Sequence, residues 1–158
     1  MMNRWMVLTA AAIAALGISG TRAGAEEPGY DPVLAELGAP LFVRHCAACH
    51  GREGRGYGSA RVALVKQPAD LTAIAARRGG AFPTGEIARV IDGRFDLPAH
   101  GSREMPVWGQ RFGSDVADPE VGESIGRGNI ASLVEYLKSI QRPPLAPPKK
   151  EPSRGSDG

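Results

Sequence analysis

Two thiols and an imidazole fall within five consecutive residues, Cys46-Ala47-Ala48-Cys49-His50, and these are the only two cysteines in a chain of 158 residues. Several chemistries can be built on such a cluster. A disulfide scaffold for a domain of this size needs more cysteines. A thioredoxin-like redox pair expects a strand–helix–strand frame, and no alternating apolar run supplies a strand. Zinc takes four ligands, usually in paired clusters, and only His45 and His100 stand outside the motif. An iron–sulfur cluster needs about four thiolates. What the spacing does fit is covalent haem attachment. Thiols three positions apart reach neighbouring vinyl groups on one porphyrin edge and become thioethers. The adjacent His50 then lies under the iron.

The opposite axial position can be filled by methionine, histidine, lysine or water. Met1, Met2 and Met6 fall in an N-terminal segment with the pattern of a secretory signal, so Met105 is the sole methionine of the mature chain. It sits beside Pro106 in a glycine-flanked loop suited to rigid presentation, although a methionine also fills core gaps. His100, five residues earlier, is the competitor. It can replace Met105 on the iron, bond a haem propionate or face water, and a non-ligand role is favoured. His45 is expected to be exposed. Trp108 either donates its indole N–H to a propionate or only packs.

The ends of the chain do not read as folded domain. Arg4, the apolar run Met6–Ile18 and the cleavage pattern Ala23-Gly24-Ala25 form a signal over residues 1–25, which leaves Glu26 as the mature N-terminus. The alternative is an uncleaved anchor, but the run is short of the ~20 apolar residues that a spanning helix needs. Residues 143–158 form a proline-rich, polar tail too poor in apolar surface to order itself. The domain is thus residues 26–142.

Within it the helical periods are short. Leu34, Leu37, Leu41 and Phe42 recur at helical spacing over 31–46. Gly38 interrupts them, as a glycine does where another backbone approaches, and Pro40 predicts a kink or a late start. Residues 51–68 read as a long loop. Asp70 caps a short helix ended by Gly79-Gly80, and Thr84 caps another ended by Gly93. Glycines make 94–128 a second loop. Asn129 caps the last helix, whose stripe is Ile130, Leu133, Val134, Leu137 and Ile140. Aromatic content of 6% makes the core thin. Something bulky and apolar should fill the centre, and a porphyrin would.

The chain resembles the class I monohaem c-type cytochromes over about residues 34–141. Gly38, Phe42 and Cys46-Ala-Ala-Cys-His50-Gly51 are similar to that family's first helix and haem loop. Met105-Pro106-Val107-Trp108-Gly109 is similar to its distal loop, and Leu133, Tyr136 and Leu137 to its closing helix. The resemblance implies an all-α fold, three to five short helices around one covalent haem c. It implies His50 and Met105 as the two axial iron ligands, Pro68 as the residue whose carbonyl accepts a hydrogen bond from His50, and a crossing of the last helix over the first near Gly38.

With both axial positions filled, no open site remains for a substrate, so the expectation is an electron carrier and not an enzyme. A haem subunit of a larger dehydrogenase or oxidase, and a haem-based sensor or peroxidase, are the alternatives. The signal implies a periplasmic or otherwise secreted protein, with membrane contact only through an uncleaved signal or a membrane-bound partner.

Without Arg4 and Arg22 the 19 basic residues become 17, equal to the 17 acidic ones, and give no reason to expect nucleic acid. Basic side chains are in surplus over 44–111. Arg52, Arg55, Arg103 and Arg111 flank the two haem loops, which suits an acidic docking face on a redox donor or acceptor.

Thioethers survive denaturation where axial ligands do not. Haem should therefore stay with the wild-type chain through acid–organic extraction. Cys46→Ala or Cys49→Ala should weaken that retention, read from the haem absorbance left on the precipitated protein.

Overall fold

The computed structural model describes residues 29–94 and 105–145. The expected signal, His100, Arg103 and all but the first three residues of the proline-rich tail lie outside them. The described residues hold five α-helices and no strand: α1 (Pro32–His45), α2 (Ala47–His50), α3 (Thr84–Asp92), α4 (Trp108–Arg111) and α5 (Pro119–Ser139). Three 3-10 turns, Ser59–Ala63, Leu71–Ala73 and Ala76–Arg78, lie between α2 and α3.

The two long helices start alike. Asp31 precedes Pro32 and Asp118 precedes Pro119. Each aspartate accepts from two backbone N–H groups of its first turn, Val33 and Leu34 for Asp31 at 2.9 and 3.0 Å, Glu120 and Val121 for Asp118 at 2.9 and 3.2 Å. Proline is at home there because the N–H it lacks would have had no helical partner. Helix α1 continues through Pro40, which lies on its exposed side, so the unpaired carbonyl one turn earlier faces water.

Helices α1 and α5 cross at Gly38, where a Cβ would run into the carbonyl oxygen of Ser132. The crossing sets the buried face of α1 as Ala35, Gly38 and Phe42. Leu37, expected on that face, is 57% exposed, because it stands about 100° around the helix from Gly38. Phe42, Leu133 and Val134 form the centre of the core, with Ile74, Ile87, Ile91, Trp108, Phe112, Ile130 and Leu137 around them.

Two capping expectations fail. Helix α3 is preceded by Pro83 in the cap position, and Thr84 is its first residue with no side-chain cap bond. Helix α5 begins at Pro119, so Asn129 lies in mid-helix. Its early glycines are there for contact: a Cβ on Gly122 would lie 2.6 Å from the Gly113 carbonyl oxygen, and one on Gly126 would lie 3.0 Å from that of Phe112. The short helix α4 is an element the sequence pattern does not announce. The expected helix after Asp70 is two 3-10 turns, stopped by Gly79 in the left-handed region.

Overpacking at the crossing should make Gly38→Ala cost roughly 2–3 kcal/mol. Leu37→Ala, on the exposed side, should stay within about 0.5 kcal/mol. Guanidinium denaturation of the haem-loaded protein separates the two.

Candidate functional site

Helix α2 is a single turn that begins straight after α1. Its backbone closes on Cys46, whose carbonyl accepts from both Cys49 N at 3.1 Å and His50 N at 2.9 Å. This turn puts the two thiols and the imidazole on one short stretch at the end of α1. Neither cysteine is in a disulfide, and both are half-buried. Burial, and then the neighbouring Cys49, push the Cys46 thiol up to about 11. That is opposite to the depressed thiol of a redox motif. Among the described residues no cluster of three or more His, Cys, Asp or Glu could hold a metal ion.

His50 is held by a backbone acceptor. Its Nδ1 lies 3.1 Å from the carbonyl oxygen of Ala69. A carbonyl can only accept, so Nδ1 carries the proton and donates, and Nε2 keeps its lone pair. Burial lowers the His50 pKa, with the Ala69 bond opposing it, and keeps the ring neutral near pH 7. A neutral imidazole in this tautomer is the form that ligates a metal. The acceptor is not the expected Pro68. The Pro68 carbonyl points instead at Gly56, where a Cβ would collide with it. Asp70 caps the next turn, accepting from Thr72 N at 2.8 Å and Thr72 Oγ1 at 2.7 Å, so the strap over the histidine is fixed one residue later.

That strap is secured by Gln141, a buried side chain the sequence pattern did not mark. Its Oε1 accepts from Ala75 N at 2.9 Å, and its Nε2 donates to Leu71 O at 2.8 Å and Leu137 O at 2.7 Å. Leu71 N in turn donates to Gly54 O at 2.7 Å, and Arg142 N to Thr72 O at 2.8 Å. The end of α5 therefore holds the segment that orients His50. Proximity to Pro143 hid this residue, since the helix reads as finished there.

Across the domain, Met105 is half-buried and packs on the core cluster. Trp108, three residues on, is buried and stacks on Phe112, ring centroids 5.4 Å apart and 20° from parallel. His45 is not exposed as expected. Its half-buried ring tilts against Trp108 at 5.1 Å and meets Phe112 edge-on at 5.3 Å. Burial, then Arg44, lower its pKa. The residue before the first cysteine thus touches the helix that follows Met105. Arg111 lies over the Trp108 ring at 5.5 Å.

The stems on either side of Met105 meet at an ion cluster. Arg94 Nε donates to Asp92 Oδ1 and Arg94 Nη2 to Asp92 Oδ2, both at 2.7 Å. The same guanidinium reaches Glu123 of α5, Nη1 to Oε2 at 2.8 Å and Nη2 to Oε1 at 3.1 Å. Arg127 also approaches Glu123, at 3.3 Å. Asp92 is buried, and its hydrogen bonds to Arg94 hold its carboxyl below the usual range against the effect of burial.

Two surface clefts, one between α3 and α5 and one at the end of α5, are lined by none of Cys46, Cys49, His50 or Met105. The donor set itself fits a covalent haem: two unpaired thiols on one turn, a neutral histidine with a free Nε2, and a thioether from across the core.

The family model for cytochrome c matches residues 35–141, well over half of the chain. This protein belongs to the cytochrome c family and is a class I c-type cytochrome. It has that family's all-α fold and covalently bound haem c, with its iron, and serves haem-based electron transfer. No curated protein sequence matches the chain. Among the described residues no helix is long and apolar enough to cross a membrane.

The depressed Asp92 carboxyl gives a signed pH dependence. Its pair with Arg94 stabilises the fold above the ordinary carboxylate range, near pH ~4, and that contribution is lost as pH falls through the lower folded value. Denaturation midpoints taken across this range should drop on acidification. Asp92→Asn should lower stability at neutral pH and flatten the acid slope.

Proposed function

We propose that this cytochrome is a single-electron carrier working outside the cytoplasm, between redox proteins, with no substrate chemistry of its own. The observation that carries the reading is the Nδ1–H bond from His50 to Ala69, made on the same turn as the two thiols. It orients the imidazole and leaves Nε2 as the proximal ligand. Cys46 and Cys49 form the thioethers, and Met105 is the distal ligand. Bound haem supplies the one-electron iron couple and the conjugated edge through which the electron passes.

The chain's own groups tune that couple. The Met105 thioether is a soft ligand that raises the potential. Phe42, Leu133 and the aliphatic side chains around them exclude water. With His50 and Met105 both engaged, no position stays open for a reactant, and the ligands need not move when the charge changes. Trp108, besides packing, would offer its indole N–H to a propionate of the bound haem. Residues 1–25 act as the export signal, which suits haem attachment outside the cytoplasm, and 143–158 as a tail.

Arg52, Arg55 and Arg111 are exposed, and Arg55 pairs with exposed Glu53 at 3.3 Å. Such arginines steer an acidic partner toward the haem edge by raising its association rate.

The test is the near-infrared methionine–iron band of the oxidised protein, recorded with a redox titration. Wild type and His100→Ala should show the band. Met105→Ala should lose it and titrate at a lower potential. Loss of the band in His100→Ala alone would move the distal ligand to His100.

A further inference from the structure

We propose that Asp92, Arg94 and Glu123 form a clasp on which the start of α4, just after Met105, is seated, and thereby set how firmly Met105 holds its place against rival ligands. The inference rests on the reading of Met105 as distal ligand. It assigns positioning roles to three residues that touch neither His50 nor the thiols.

The argument is one of place. Arg94 is the last residue of one stem and Met105 the first of the other, with ten residues between them in the sequence. The stems meet twice. A Cβ on Gly93 would lie 3.2 Å from Val107 Cα, so the two backbones are in contact just behind Met105. A Cβ on Gly109 would lie 2.5 Å from Asp92 Oδ1 and 2.6 Å from Arg94 Nε. The ion pair therefore rests directly on the α4 backbone, where only glycine leaves room.

The third contact is to α5. Arg94 forks to Asp92 with two hydrogen bonds and to Glu123 with two more, so one planar guanidinium joins the end of α3 to α5 beneath the start of α4. Two-pronged pairing of this kind fixes direction as well as distance. Lysine, a point charge with no fork, cannot reproduce it. Asp92 is buried, so removing the guanidinium also leaves a carboxylate without its main partner.

An isolated surface pair contributes little. Arg78 and Glu86, at the other end of α3, are such a pair and make a fair comparison. The clasp differs because the chain just after Met105 packs on it at Gly109. While the stems are joined, Met105 is held at high effective concentration near its position. When they part, the fraction of molecules with Met105 in place falls, and an added ligand binds in proportion to the open fraction.

Imidazole is the probe. It is titrated into the oxidised, haem-loaded protein while the near-infrared methionine–iron band is followed. In Arg94→Lys the band should disappear at roughly tenfold lower imidazole than in wild type. Glu123→Gln keeps the Asp92–Arg94 pair, and with it the folded stems, and should shift the midpoint in the same direction by less. Glu86→Gln should leave it unchanged. Wild-type midpoints in both Arg94→Lys and Glu123→Gln, with Met105→Ala lacking the band, would overturn the clasp and leave the ligand assignment standing. An equal shift in Glu86→Gln would overturn it too, by tracing the effect to general loss of stability. Persistence of the band in Met105→Ala would overturn the ligand assignment and the clasp together.

Discussion

Helix α1 meets α5 backbone to backbone at Gly38 and Ser132, and the rest of the domain is arranged around that contact. The approach is closer than any side chain allows. It brings Phe42 onto Leu133 and Val134, and it fixes where α1 ends. Since Cys46 follows α1 and the turn of α2 follows Cys46, the crossing also places both thiols and His50. Just past the end of α5, Gln141 holds the strap over His50, and from within the helix Glu123 reaches Arg94. Asp31 N, at the start of α1, donates to Glu135 Oε2 at 2.8 Å, so α5 grips both ends of the first helix.

The two sides of the candidate haem site are secured by different physics. On the His50 side the contacts are backbone hydrogen bonds and a buried amide: Ala69 O, Leu71 O, Leu137 O and Ala75 N. These neutral bonds respond little to salt and to mild changes of pH. On the Met105 side the contacts are a guanidinium between two carboxylates and a cluster of three rings. The ion cluster is partly exposed, so salt screens it and acid removes it.

Much of the site was legible in the sequence because its chemistry is local. The Cys46-x-x-Cys49-His50 spacing is confined to one helical turn, and Met105 stood out once the signal was set apart. The acceptor for His50 was misplaced by one residue, at Pro68, because which carbonyl faces the ring depends on Gly56 and on the Asp70 turn and not on the proline itself. His45 was read as exposed because nothing near it in the chain reveals Trp108 and Phe112, which arrive from more than sixty residues away. Gln141 and Glu123 are hidden for the same reason: a polar residue looks solvated until the segment it bonds is in place.

What the sequence by itself determined is whatever a few neighbouring residues can decide. It set the attachment motif, the glycines at 79 and 93 that stop short helices, and the stripe from Ile130 to Leu137. What only the tertiary structure decided is the meaning of the glycines in 113–128. Each costs a helix about 1 kcal/mol relative to alanine, and taken alone they argue for a loop. Folded, Gly122 and Gly126 let the carbonyls of Gly113 and Phe112 come close, and α5 runs from Pro119 through Gly122, Gly126 and Gly128. Local propensity is weak, and the packing available when two backbones touch outweighs it. That contact depends on the turn after Phe112 folding back on α5, so no single residue's propensity reveals it.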